Sequence, residues 1–232
     1  TAIDVALDAD LCAYVKPVGA HIAVANPLQT LTGCYRIPIA AATFRLAFTN
    51  ATPIGPYRGA GRPDIAYLVE RLVDEAAARA GRDRLDLRRA NALRPTDFPY
   101  ETPLGARYDS GDYGTLLARA ADLAGWSGFP ERRRASAQAG RLRGLGAALF
   151  VEVAGGGPVA RDEVRLSLSR KGAEPRLLVE TTSKSTGQGH AEVYAAIVAE
   201  RLGVAPEAVG LLESPSDTPL VGAGSFASRS TA

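Results

Sequence analysis

Apolar positions change period along the chain, and those changes predict its elements. Two extended runs, Tyr35–Ile39 and Thr43–Thr49, come first. In the second, Phe44, Leu46 and Phe48 alternate with Thr43, Arg45 and Ala47, the pattern of a half-buried strand. A Pro/Gly-rich loop follows, and Pro63 then sits where a helix favours its first residue. Leu68, Val69, Leu72, Val73, Ala76 and Ala80 recur at helical spacing as far as Gly81, which fits the stop. A second helix is expected over Leu85–Asn91. Asp112 is placed to cap a third, with Leu116, Leu117, Ala120, Leu123 and Ala124 on its buried side. Arg132–Arg134 and the small residues after them read as a helix end and linker, with a solvated basic face, so a domain boundary is expected near residue 138.

Beyond that boundary the pattern predicts strands over Leu145–Val153, Val164–Ser169 and Leu177–Thr182. The turn Gly187-Gln188-Gly189-His190 opens a helix carrying Val193, Ala196, Ile197, Ala199 and Leu202, which Gly203 ends before a short strand, Val209–Glu213. Mixed strands and helices in both halves predict an α+β architecture, not a doubly wound parallel sheet. The expected domains are residues 1–138 and 139–232.

Composition narrows the function. Hydrophobic residues make up 46% of the chain, charged residues 22%, and the net charge is +2, the balance of a soluble globular protein without a nucleic-acid footprint. No apolar run approaches the roughly 20 residues of a membrane span, and the first residues lack the features of a signal peptide. Cys12 and Cys34 are expected to be buried thiols, too few to ligate an iron–sulfur cluster, which would have to sit on another chain. His21 and His190 have no partner at metal-ligand spacing. The chain has no methionine and is expected to be an internal fragment.

Three glycine-bearing loops remain as candidate chemistry. Gly55–Arg62 runs into a helix start, where unpaired N–H groups favour oxyanions, and Arg58 and Arg62 add donor forks; a plain structural loop is the alternative. Thr186–Glu192 is again a glycine turn before a helix, with Gln188 and His190 as directional donors, yet it lacks the lysine of a P-loop. Gly222–Thr231 joins small residues and hydroxyls to one arginine, suited to a phosphate or a polar heterocycle or else to a surface loop.

Taken together and in this order, the loops resemble those of molybdenum hydroxylase large subunits, the family of xanthine dehydrogenase, aldehyde oxidase and carbon monoxide dehydrogenase. Gly55-Pro56-Tyr57-Arg58-Gly59-Ala60-Gly61-Arg62-Pro63 resembles the family's arginine loop. Leu87-Arg88-Arg89, Asn91, Phe98-Pro99-Tyr100, Thr102, Gly105 and Tyr108–Asp112 are equally typical, as are Gly187–His190 and Gly224–Thr231. The resemblance covers nearly the whole chain. It implies two molybdopterin-binding domains, the second cut short. It also implies a molybdopterin cytosine dinucleotide carrying molybdenum, without a direct protein ligand to the metal. The reaction it implies is oxidative hydroxylation with water, of a carbon beside nitrogen or oxygen in a small-molecule substrate. Partner subunits would carry two [2Fe–2S] clusters and FAD, in a cytoplasmic complex that itself forms a homodimer.

Residue by residue, the resemblance places Arg58 beside the metal and substrate, with Gly59 and Ala60 next to it. Gly187, Gln188, Gly189 and His190 fall at the pterin, and Ala227, Ser228, Arg229 and Ser230 near the metal and dinucleotide. Carbon monoxide dehydrogenases carry a cysteine where this chain has Gly59, so carbon monoxide oxidation is not expected. Purine hydroxylases often place an aromatic residue where Ala60 stands, which favours an aldehyde or another heteroaromatic substrate. The glutamate that serves the family as general base is absent, and this stretch by itself is expected to be inactive. The competing expectation is a non-catalytic module that binds a pterin dinucleotide or docks to partner subunits.

Overall fold

Two parallel strands, β1 (Ala2–Asp10) and β2 (Ile39–Ala47), pair in register from Ala2 opposite Ile39 to Asp10 opposite Ala47. A computed structural model places them in the first of two compact units, Thr1–Glu152 and Val153–Ala232, and describes residues 2–155, 161–172 and 174–231. β1 is not among the anticipated strands, although Ile3, Val5 and Leu7 alternate with Asp4, Ala6 and Asp8. Its Ile3 and Val5 are buried. Parallel pairing demands a long crossover. Here it includes a wide helical turn, His21–Ala25, that runs into α1 (Asn26–Gln29).

The run expected over Thr43–Thr49 falls in β2 as far as Ala47, whereas the run expected over Tyr35–Ile39 is corrected. Tyr35 makes one bridge to Ala92, and the strand itself starts at Ile39. The predicted alternation holds at Phe44, which is half-buried, but fades where Leu46 and Phe48 are exposed.

α2 (Arg62–Arg79) carries Pro63 in its first turn and stops before Gly81, whose φ of +61° needs no Cβ. Ile65, Val69 and Ala77 form its buried line, and Leu72 lies outside it. α3 (Arg84–Asn91) is capped by Asp83, which accepts from the Leu85 and Asp86 amides. The short strands β3 (Tyr100–Glu101) and β4 (Arg107–Tyr108) pair ahead of α4 (Tyr113–Leu123). Asp112 caps α4 as anticipated, accepting from Thr115 N at 3.0 Å. Its buried residues are Tyr113, Leu117 and Ala121, a face turned by one position from the expected one; Leu116 and Leu123 are exposed.

Leu31, Cys34, Tyr35, Ile65, Val69, Leu85, Leu93, Leu117 and Leu149 meet in one core. Within it Arg88 is fully buried, its guanidinium 2.8 Å from both Glu70 and Asp74, and Tyr35 donates to Glu70 at 2.5 Å. Buried charge is tolerated where it is paired and hydrogen-bonded, as here.

α5 (Phe129–Gln138) ends at the linker anticipated near residue 138. The compact unit nevertheless runs on to Glu152, because Leu149 enters its core and Leu145 O accepts from Arg84 at 2.8 Å. That stretch forms no strand, contrary to the expectation for Leu145–Val153. Its residues are held by side-chain packing and by Arg84.

In the second unit β5 (Val164–Lys171) pairs antiparallel with β6 (Glu174–Thr181), which pairs parallel with β7 (Val209–Glu213). The crossover between β6 and β7 is α6 (His190–Leu202), closed by Gly203 at φ +65°. α6 buries His190, Tyr194 and Ala199, while Val193, Ile197 and Leu202 are exposed. Both units are α+β.

Candidate functional site

The arginine loop of the first unit is shaped by backbone that only small residues permit. Gly59, Ala60 and Gly61 have φ of +89°, +47° and +91°. A Cβ on Gly61 would lie 2.1 Å from Ile22 O, so the loop presses backbone to backbone on the turn before α1. Ala60 N donates to Tyr57 O at 2.7 Å, and Asn26 Nδ2 donates to Ala60 O at 2.7 Å.

The two arginines of this loop have different fates. Arg62 is buried and turned inward. Its guanidinium reaches Glu152 at 3.0 Å, Gln29 Oε1 at 3.1 Å and Asn26 Oδ1 at 3.3 Å. It fixes the loop and offers no fork to a ligand, which corrects the pairing of Arg58 with Arg62 as ligand donors. Arg58 is exposed and makes no hydrogen bond or ion pair among the described residues. Its neighbour Tyr57 is also exposed.

In the second unit the turn after β6 is tied down from β7: Glu213 accepts from Ser185 N at 2.6 Å, and Lys184 donates to Ser214 O at 2.7 Å. Gln188 folds back and accepts from the backbone amide of Thr186, so its amide group shapes the turn. Gly187 and Gly189, at φ +101° and +72°, carry the chain into α6. His190 is buried against Tyr194, ring centroids 5.2 Å apart, and its Nδ1 has no partner among the described residues.

The loop at residues 222–231 contacts the segment before β5. Asp162 accepts from Ala223 N at 2.9 Å and pairs with Arg229 at 2.7 Å, while Val221 N donates to Glu163 at 3.0 Å. Arg229 is buried, its guanidinium 5.1 Å from the centre of the Phe226 ring. One terminal nitrogen serves Asp162; Nε and the other terminal nitrogen have no partner among the described residues. Thr182 Oγ1 and Ser225 Oγ are likewise buried and unpaired among the described residues. A Cβ on Gly222 would fall 1.9 Å from Thr182 Oγ1, which puts this hydroxyl directly under the loop.

Buried polar atoms are nearly always paired, so several orphans on neighbouring loops call for an explanation. Hydroxyls and guanidinium N–H groups of this kind suit a ligand rich in oxygen acceptors. Ala227 and Ser228 adopt positive φ, +49° and +52°, and Ala227 O accepts from Gly155 N at 2.8 Å. Thus the structure brings Arg229 and the backbone of Gly222 and Ala223 together with Asp162, with Thr182 under Gly222. Neither Thr182 nor Asp162 stands out in the sequence; their signal is the glycine at 222, which leaves room for both. Among the described residues no group of three or more His, Cys, Asp or Glu is arranged to hold a metal. Nor, among those residues, is any helix long and apolar enough to cross a membrane.

Residues 1–92 and residues 119–232 each match the model of a molybdopterin cofactor-binding domain. The carbon monoxide dehydrogenase large chain of Hydrogenophaga pseudoflava is 33% identical over 231 residues, which cover 92% of this chain and 29% of that one. The 6-hydroxypseudooxynicotine dehydrogenase complex subunit gamma of Paenarthrobacter nicotinovorans is 35% identical over 224 residues, 92% of this chain and 28% of that one. Quinoline 2-oxidoreductase from Pseudomonas putida 86 superimposes with a TM-score of 0.88 at 27% identity, over 98% of this chain and 30% of that chain. The chain therefore spans about 30% of the length of the relatives it matches.

Proposed function

The chain belongs to the molybdopterin cofactor-binding domains of molybdenum hydroxylase large subunits, and from that membership we propose that it is part of a catalytic subunit that binds a molybdopterin cytosine dinucleotide and hydroxylates an aldehyde or an N-heteroaromatic compound with oxygen from water. One observation carries the reading: Thr182 Oγ1, His190 Nδ1, Ser225 Oγ and two nitrogens of Arg229 are buried without partners among the described residues. These donors fit an oxyanionic, heterocyclic ligand better than they fit a closed protein interior.

In the second unit, Arg229 and Ser225, with Ser228 and Ser230 beside them, hold the dinucleotide phosphates. Asp162 keeps the Arg229 plane fixed, so its free nitrogens are preorganised and lose little freedom on binding. Gly187, Gln188 and Gly189 bring backbone N–H groups to the pterin, and His190 and Ala227 complete these walls. In the first unit, the exposed Arg58 orients the substrate, flanked by the positive-φ backbone of Gly59 and Ala60. When bound, the molybdenum cofactor supplies the two-electron oxidative chemistry, and the residues supply binding and orientation.

The choice of substrate class rests on the loop and on relatives. Position 59 offers no thiol, and both cysteines are buried elsewhere. Ala60 leaves space where a stacking ring would otherwise stand. Two of the similar proteins are named for a pyridine-derived compound and for quinoline. The name "complex subunit gamma" supports partners for electron transfer, an iron–sulfur subunit and an FAD subunit. A homodimer of that complex in the cytoplasm, where two free thiols are at home, completes the proposal.

The test uses the full-length subunit purified with its partners, measured for molybdenum and for released cytidine nucleotide. Arg229→Gln is expected to lower both together by about tenfold, the loss of one charge-assisted contact or more. Arg58→Ala is expected to retain both and to lose turnover instead. Full retention of molybdenum and nucleotide by Arg229→Gln would sink the assignment.

A further inference from the structure

The positive charge of this chain is concentrated in one place. The whole chain carries 27 Lys and Arg against 25 Asp and Glu, a net charge of +2. Between Asp122 and Glu152 stand Arg132, Arg133, Arg134, Arg141 and Arg143 with Glu131 as the sole carboxylate, so this segment is net positive while the remainder is net negative. Glu131 reaches only Arg134, at 4.0 Å.

Three of these arginines line a concavity of about 280 Å³ at the end of α5, together with Ala135, Ser136 and Ala139. Its walls are fixed. Arg132 donates to Ala124 O at 2.9 Å and lies over the Phe129 ring. Its guanidinium also presses on the turn at Gly125 and Gly128, where an added Cβ would meet it at 3.0 and 3.1 Å. Arg143 Nε donates to Ser136 Oγ at 2.8 Å, and the Arg141 backbone N donates to Ser136 O at 2.8 Å. The Arg141 guanidinium itself has no partner among the described residues. Between Arg141 and Arg143, Leu142 is fully exposed.

We infer that this surface docks a carboxylate-rich segment of a protein partner. Guanidinium forks match carboxylates two bonds at a time, and arginine is enriched in protein interfaces. Arg132 and Arg143, already held by Ala124 O and Ser136 Oγ, cost little further ordering when they bind, and Arg141 supplies the uncommitted fork. The exposed leucine between two of them separates a protein from a small anion, which has no use for an apolar contact. The surface lies wholly within the first unit, and the inference does not depend on the cofactor reading.

The probe is a fluorescein-labelled peptide of glutamates around a central leucine, titrated with this chain and followed by fluorescence anisotropy. Arg141→Ala and Leu142→Ala are the informative variants, because neither side chain is bonded into the fold; matching thermal unfolding curves confirm that. Binding is expected to weaken about tenfold in Arg141→Ala and several-fold in Leu142→Ala. It should fall with added salt, since exposed charges are screened beyond ~8 Å at physiological ionic strength. Arg79→Ala, on the exposed side of α2, should leave it unchanged. No binding by the native chain, or equal binding by Arg141→Ala, overturns the inference. So does displacement of the peptide by inorganic phosphate at matching concentration, which would make the concavity a small-anion site.

Discussion

Replacing Gly61 by alanine tests how the arginine loop is held. Two costs add at this position. The backbone stands at φ +91°, which an L-residue adopts at a cost of about 1–2 kcal/mol. The new methyl would also lie 2.1 Å from Ile22 O, a backbone atom that no side-chain rotation can move aside. Relief requires the loop and the turn at His21–Ala25 to part, which strains or breaks the 2.7 Å bond from Asn26 to Ala60 O. Overpacking of this kind costs about 1–3 kcal/mol, so the total expected is about 2–5 kcal/mol. Gly105→Ala is the matched control: its φ is +82°, but nothing lies within 4 Å of the added Cβ. It should cost the backbone part alone. Urea unfolding followed by circular dichroism measures both as shifts in midpoint at constant slope. If the two variants lose equal stability, within about 0.5 kcal/mol, the close approach to Ile22 does not hold the loop and the geometry around Arg58 needs another explanation.

Two further outcomes follow from the core of the first unit. Arg88→Ala leaves Glu70 buried without its cation and should cost about 3–5 kcal/mol in the same urea assay, whereas the double variant Glu70→Leu/Arg88→Met should recover most of that; an additive double variant would contradict the pairing. Burial, with the Glu70 carboxylate adding to it, pushes the Cys34 thiol up from 9.0 to about 12, and burial pushes Tyr108 up from 10.0 to about 12. The folded chain therefore keeps protons that the unfolded chain releases, so stability should be level at neutral pH and fall as pH rises from about 9 towards 12. Thermal unfolding at a series of pH values checks the sign, and a smaller alkaline loss in Cys34→Ala assigns the thiol's share.

Elements whose period matches their burial were legible in advance. Asp112 as a cap, Gly203 as a stop and Val209–Glu213 as a strand needed only local chemistry. The inner faces of α4 and α6 were not legible, because both helices are rich in small apolar residues all round. Which face turns inward is decided by the neighbours, and Leu116, Leu123, Val193 and Ile197 ended outside. The extended stretch before Val153 reads as a strand because it is apolar, but it has no strand beside it to pair with. Arg62 was misjudged for a related reason: Asn26, Gln29 and Glu152, which turn it inward, lie far away in sequence.

The candidate loops carry a second mark that does not depend on resemblance. Among the described residues, four other than glycine have positive φ: Cys12, Ala60, Ala227 and Ser228. Three of these fall in the loops singled out by their residue pattern. Each holds a conformation costing about 1–2 kcal/mol, which persists only where the surroundings over-determine it. At Ala60 the surroundings are the bond from Asn26 and the clasp of Arg62 on Gly59 O, at 3.4 Å. At Ala227 they are the bond to Gly155 N, beside a buried Arg229 with two nitrogens unspent. A loop needed only to join two elements would have relaxed or taken glycine at these positions. Strain kept in place next to unpaired donors is what a binding site requires before its ligand arrives, and it favours the cofactor-binding reading over that of passive connecting turns.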